Sequence, residues 1–366
     1  SYALRRLWIE EPTFSAYYGG LANEGLWPLC HVVDVRPRFR AEDWAAYCDV
    51  NDRFAAAIHE QITAPDTPIF IQDYHLALVA PALRRRRPAV RTALFWHIPW
   101  PYPDRLRICP WQREILEGLL ANDLIAFQLE RDRRNFLAAV EEELEVEIEH
   151  EASRVAVNGR HCTVVSVPIG VDYDRIQALA SDPALVHEQG RLRTQLGLGS
   201  QVVGLGVDRL DYTKGIPERL AAIERLVSIR PALAGRFTFV QIGVPSRSEL
   251  ESYASVEAEI GQMVADINAR HRVPGGAPLI SYHTTPLNAF NLVALYRLAH
   301  LCVVSSLHDG MNLVAKEFVA ARDDEQGVLV LSRMAGAAQE LREALIINPY
   351  DLHGFADALA QAIDMP

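Results

Sequence analysis

The stretch Ser305-Ser-Leu-His-Asp-Gly-Met-Asn-Leu-Val-Ala-Lys-Glu317 decides the fold, because it joins a strand to a helix through a polar turn. The apolar run Leu301 to Val304 before it reads as a buried strand. Leu313, Val314, Phe318 and Val319 after it keep a helical stripe, so the turn lies at a strand's carboxyl end. A helix that starts there points backbone N–H groups at whatever occupies the turn, and such starts attract phosphates. Outward from this point the same alternation repeats. Short apolar runs at Ile69 to Gln72, Thr92 to His97, Leu124 to Gln128, Val164 to Pro168, Val202 to Val207, Phe237 to Ile242 and Val328 to Ser332 are separated by longer helical patterns such as Pro110 to Leu120. Strands alternating with helices imply an α/β protein with parallel, doubly wound sheets.

The chain has 366 residues, enough for two α/β domains of ordinary size. A polar helical segment ending in Gly197-Leu-Gly-Ser200 precedes a fresh strand, so the predicted domains are 1–195 and 196–366. A net charge of −11 and a pI near 5.6 argue against nucleic acid or an anionic membrane as the partner. The runs Arg84 to Arg87 and Glu141 to Glu151 read as solvated faces. Cys30, Cys48, Cys109, Cys162 and Cys302 are scattered, odd in number and without a C-x-x-C pair. That usage suits a reducing cytosol, hence a cytoplasmic protein, better than a disulfide scaffold or zinc site. There is no run of 18 apolar residues.

Four polar clusters follow predicted strands, the position where open α/β sheets bind ligands. Gln72-Asp73-Tyr74-His75 offers a carboxylate for sugar hydroxyls, or alternatively a helix cap. His97-Ile-Pro-Trp-Pro-Tyr-Pro103 is a proline-stiffened loop that fixes His97. Asp208-Arg209-Leu-Asp-Tyr-Thr-Lys214-Gly215 brings two cations to one turn, where charge-assisted bonds to a diphosphate would stabilise a leaving group. Val244-Pro-Ser-Arg247 offers a cation for a second phosphate.

Taken with Tyr17-Tyr-Gly-Gly-Leu-Ala-Asn-Glu-Gly-Leu-Trp27-Pro, Gly327-Val-Leu-Val-Leu-Ser332 and Asn348-Pro-Tyr-Asp351, these motifs make the chain resemble, end to end, the trehalose-6-phosphate synthase family. These are retaining glycosyltransferases of family GT20 with two facing Rossmann-like domains, the GT-B architecture. The resemblance implies that Arg209 and Lys214 bind the nucleotide diphosphate and Glu317 the ribose. His97 and Asp309 would grip the donor glucose, with backbone N–H groups of Met311, Asn312 and Leu313 around the sugar and diphosphate. Tyr18, Trp27, Asp73 and Arg247 would form the pocket for glucose 6-phosphate, Tyr18 and Arg247 on its phosphate. The implied reaction moves glucose from UDP- or GDP-glucose to glucose 6-phosphate, giving α,α-trehalose 6-phosphate, with no metal and no cofactor. A trehalose-6-phosphate phosphatase is the implied functional partner; a homo-oligomer is left open.

Family members begin with a strand and a glycine-rich loop and end in a long helix beyond the position of Pro366. The expected first domain therefore lacks that strand and loop, and the last helix is cut short. His308 stands where the family usually has arginine. Two alternatives stay open: a glucosylglycerol-phosphate synthase accepting glycerol 3-phosphate, and a non-catalytic sugar-phosphate-binding domain.

Overall fold

The computed structural model describes residues 2–64, 66–247 and 249–365. The chain divides into two compact units, Ser1–Ile169 and Gly170–Pro366. The division lies earlier than the break expected near residue 195. The helices Tyr173–Ala180 and Ala184–Gln195 pack against Ala289–Leu298, and the first of them also against Leu313–Ala320, so both belong to the second unit. Their polar composition marks an exposed layer of that unit rather than a linker.

The first unit has six strands: β1 (Pro68–Gln72), β2 (Arg91–Trp96), β3 (Leu124–Phe127), β4 (Glu147–Glu149), β5 (Arg154–Val157) and β6 (Arg160–Ser166). Their order is β1-β2-β3-β6-β5-β4. β1, β2, β3 and β6 are parallel, whereas β5 pairs antiparallel with both β6 and β4. Asn158 and Gly159, at φ 49° and 74°, make the tight β5–β6 turn. β1 forms one edge of this sheet, where Phe70 is 65% exposed.

The charge runs are not simply solvated. Arg84 is only 12% exposed at its side chain and donates to the carbonyls of Ala121, Pro88 and Val90 and to Asp123. The acidic run contains β4, with Ile148 between two outward glutamates.

The second unit has β7 (Val202–Arg209), β8 (Phe237–Val244), β9 (Ile280–His283), β10 (Leu301–Val304), β11 (Val328–Ser332) and β12 (Leu345–Ile347). All pairings are parallel, in the order β12-β11-β10-β7-β8-β9. The strand order therefore reverses between β7 and β10, and a crevice opens at their carboxyl ends. Phe237, Phe239, Val303 and Val330 pack beneath the helices Ile216–Ile229 and Leu352–Asp364. Gly204 in β7 makes room, since a Cβ there would stand 2.6 Å from the Phe239 ring.

Candidate functional site

Both segments that the sequence singled out for anion binding emerge at this reversal. β7 ends at Arg209, which is exposed, and runs into the turn Tyr212–Lys214. Asp211 caps that turn through Thr213 N and Oγ1, both at 2.9 Å. Gly215 follows at φ 61°, and a Cβ on it would lie 2.2 Å from the Ser305 carbonyl oxygen, so only glycine fits. β10 leads into the second turn, where Lys214 Nζ meets Asp309 Oδ2 at 2.6 Å. The same carboxylate oxygen accepts from Ser306 Oγ at 3.1 Å and Asn312 Nδ2 at 3.2 Å. Asn312, at φ 80°, caps the helix Leu313–Ala320 by accepting from Ala315 N.

The backbone N–H groups of Met311, Asn312 and Leu313 have no hydrogen-bond partner among the described residues. Helix starts leave such donors orphaned, and they face anions. A backbone-to-backbone seam fixes this turn: Gly336 N donates to Asp309 O, Ala337 N to Met311 O, and a Cβ on Gly336 would lie 2.0 Å from Gly310 O. One turn along the helix, Glu317 accepts from Tyr296 Oη at 2.9 Å. Glu317 and Leu313 border a mostly apolar cavity of about 310 Å³, lined also by Ile176, Leu292 and Val293.

Arg247, with φ 55°, lies beyond the end of β8 and reaches the Asp211 cap. Its side chain is 7% exposed and lies over the Tyr253 ring, donating to Tyr253 Oη at 2.7 Å, with Asp211 Oδ2 at 3.9 Å. Burial pushes the Tyr253 and Tyr212 hydroxyls above their ordinary range, so both stay neutral.

In the first unit the remaining predicted residues gather at the carboxyl ends of β1 and β2. Asp73 adopts φ 69° and accepts from Tyr74 N and His97 N through one oxygen, at 2.9 and 3.0 Å. The His97 ring rests on Phe95, and its Nε2 lies 2.8 Å from Gln72 Oε1. The backbone of the Asp73–His75 turn is gripped by buried side chains: Tyr47 Oη donates to Tyr74 O, and Tyr17 Oη and Asn51 Nδ2 to His75 O. Sequence reasoning passed over Tyr47 and Asn51; as single polar residues in the helix Ala41–Gln61 they carry no motif. Tyr18 stacks on His75 at 5.5 Å, and Trp27 lies 6.1 Å from the Tyr74 ring and 4.0 Å from that of His31. Both come from a π-helical segment, Ser15–Leu26, and the short helix after it. Wide π turns recur at functional sites.

The glycosyltransferase family 20 model matches residues 1–366. The chain belongs to that family. Among its family 20 relatives, a bifunctional trehalose-6-phosphate synthase/phosphatase of Thermoproteus tenax is 40% identical over 351 residues, which are 95% of this chain and 47% of the relative. The solved α,α-trehalose-phosphate synthase (UDP-forming) from Burkholderia xenovorans, in complex with glucose 6-phosphate, superposes with a TM-score of 0.92 at 37% identity. It aligns with 97% of this chain and 78% of its own. An E. coli structure bound with UDP-2-fluoro glucose gives 0.91 at 34% identity, with 98% and 78% covered. This family 20 chain thus spans about half of the first relative and most of each solved chain. Its two Rossmann-like units are those of the GT-B glycosyltransferases.

Proposed function

We propose that this family 20 chain transfers glucose from a uridine-diphosphate sugar to glucose 6-phosphate with retention, forming α,α-trehalose 6-phosphate. The observation that carries the reading is the convergence, at the reversal of the second sheet, of Lys214, Asp309 and three N–H groups with no partner among the described residues, with Arg209 closing β7. The UDP-forming relative in complex with glucose 6-phosphate and the neighbour bound with UDP-2-fluoro glucose supply the two substrates.

In this reading Glu317 takes the ribose, with the apolar cavity beside it for the base, and Arg209 and Lys214 take the diphosphate. Asp309 and His97 hold glucose hydroxyls. Tyr18, Trp27, Asp73 and Arg247 receive the acceptor. The bond from the anomeric carbon to the diphosphate oxygen breaks while the acceptor hydroxyl bonds to the same face. The acceptor proton passes to the departing oxygen, whose growing charge the two cations stabilise. Positive charge supplied this way makes the transfer metal-independent. The Thermoproteus tenax relative, named for both activities, supports a phosphatase as the step that consumes the product. No helix among the described residues is long and apolar enough to cross a membrane, and a cytoplasmic setting fits five free cysteines, four of them buried.

The test is product formation from UDP-glucose and from GDP-glucose, each with glucose 6-phosphate and with glycerol 3-phosphate, with and without a chelator. Trehalose 6-phosphate formed equally in chelator is the expected result. Turnover only with glycerol 3-phosphate would assign the chain to the glycerol-accepting sister enzymes, and binding without turnover would make it a sugar-phosphate-binding domain.

A further inference from the structure

Beneath the turn that carries Arg209 and Lys214 lies a charged side chain that no substrate reaches. Arg219, in the first turn of the helix Ile216–Ile229, is 0% exposed. Its Nη1 donates to Asp208 Oδ2 at 2.6 Å and Gln241 Oε1 at 2.7 Å, and its Nε donates to Ser305 Oγ at 3.0 Å. Ser305 passes the contact on, with its hydroxyl 2.7 Å from Gly215 O and 3.2 Å from Lys214 O. One step along, Leu307 N donates to Thr213 O at 2.7 Å. Asp208, Arg219, Gln241 and Ser305 thus tie the end of β7, β8, the helix start and the end of β10 to a single point.

An ion pair buried this deeply is a poor stabiliser, because desolvation offsets most of its attraction. Arg219 Nη2 also lacks a partner among the described residues, which a group retained for stability alone would not leave unmet. The sequence nonetheless clears space for it: a Cβ on Gly206 would stand 2.3 Å from Arg219 Nη1 and 2.7 Å from Gln241 Oε1. We propose that Arg219 and Ser305 are positioning residues for diphosphate binding. They set the register of the 209–215 turn against the end of β10, and thereby the placement of Lys214 and Arg209 relative to Asp309 and the N–H groups of 311–313. This rests on the reading that those two cations hold the nucleotide diphosphate.

The experiment compares UDP and UMP affinity by calorimetry, together with donor and acceptor KM, in the wild type and in Ser305→Ala, Ser305→Thr and Arg219→Lys. UMP lacks the second phosphate and reports binding that does not depend on the turn's register. Ser305→Ala and Arg219→Lys should weaken UDP roughly tenfold, the effect of one buried hydrogen bond to a charged group. UMP affinity and the KM for glucose 6-phosphate should stay near wild type, and Ser305→Thr, which keeps the hydroxyl, should recover UDP binding. If Ser305→Ala fails to fold, Arg219→Lys carries the test, since its ammonium keeps a charge facing Asp208. A folded variant in which UDP falls no further than UMP overturns the proposal and leaves the diphosphate reading standing. Wild-type protein that binds no UDP overturns both.

Discussion

Lys214 and Arg209 are both cations of one turn, yet they differ in what their removal should do. Lys214 is paired with Asp309 and mostly buried, whereas Arg209 is exposed at the strand end. Either alanine substitution should lower kcat/KM by about 10²–10³, the loss typical of removing one charge-stabilising donor from a developing oxyanion. Lys214→Ala should lower the melting temperature more than Arg209→Ala does, because it removes a mostly buried partner from the Asp309 carboxylate. Scanning calorimetry alongside the product assay separates the two effects; equal melting temperatures would refute the distinction. A second residue-scale prediction concerns Asp132, whose side chain is fully buried near the start of the helix Glu130–Glu143. Burial pushes its carboxyl up to about 6, against an opposing pull from Arg131. A carboxyl raised above its unfolded value makes the native state bind more protons, so stability falls as pH rises from about 4 to 6. Asp132→Asn should therefore stabilise the protein at pH 8 by roughly 3 kcal/mol, about two pKa units' worth, and the gain should fade by pH 4. Denaturant midpoints across that range check it, and a pH-independent gain would refute the assignment.

At the scale of elements, glycines discriminate between turns that demand them and helices that merely tolerate them. Gly190, in the helix Ala184–Gln195, has open space where a Cβ would go, so Gly190→Ala should stabilise by about 0.5–1 kcal/mol. Gly336→Ala would drive a methyl into the Gly310 carbonyl, backbone against backbone, and should abolish turnover by displacing the Asp309–Met311 turn. Melting curves and the product assay on both variants test the contrast. The same scale shows what could be read in advance. The continuous apolar runs of β7, β8, β10 and β11 were legible because central parallel strands are buried on both faces. β4, β9 and β12 were missed, being edge strands of only three or four residues, too short to show a periodicity. β5 was missed although Asn158-Gly159 is a strong hairpin signal that could have revealed it. The π-helical turn of Ser15–Leu26 has no sequence signature, and nothing in the sequence around Arg219 marks that cation as buried. Its burial follows from Gly206 lying opposite, a juxtaposition that only folding creates.

For the whole molecule, the division at residue 169/170 has an energetic meaning. The helices Tyr173–Ala180 and Ala184–Gln195 cover apolar surface of the second unit through Leu185 and Leu192. A polypeptide of residues 170–366 should therefore fold alone and bind UDP, since it holds Arg209, Lys214, Asp309 and Glu317. One of residues 196–366 should melt well below it, because two buried leucines at about 1.5–3 kcal/mol each, with the surface they cover, are lost. Circular dichroism melts of the two fragments decide the matter, and equal stability would return the boundary to residue 195.

β7 lies between β8 and β10, so the strand that ends in Arg209 pairs along its whole length with β8 and at Gly204 and Leu205 with β10. Amides in such a strand exchange with solvent only when the surrounding unit opens cooperatively. The cations rooted at its end share that fate, and heating should leave donor affinity intact until the second unit unfolds. Thermal inactivation and global melting of that unit would then follow a single curve.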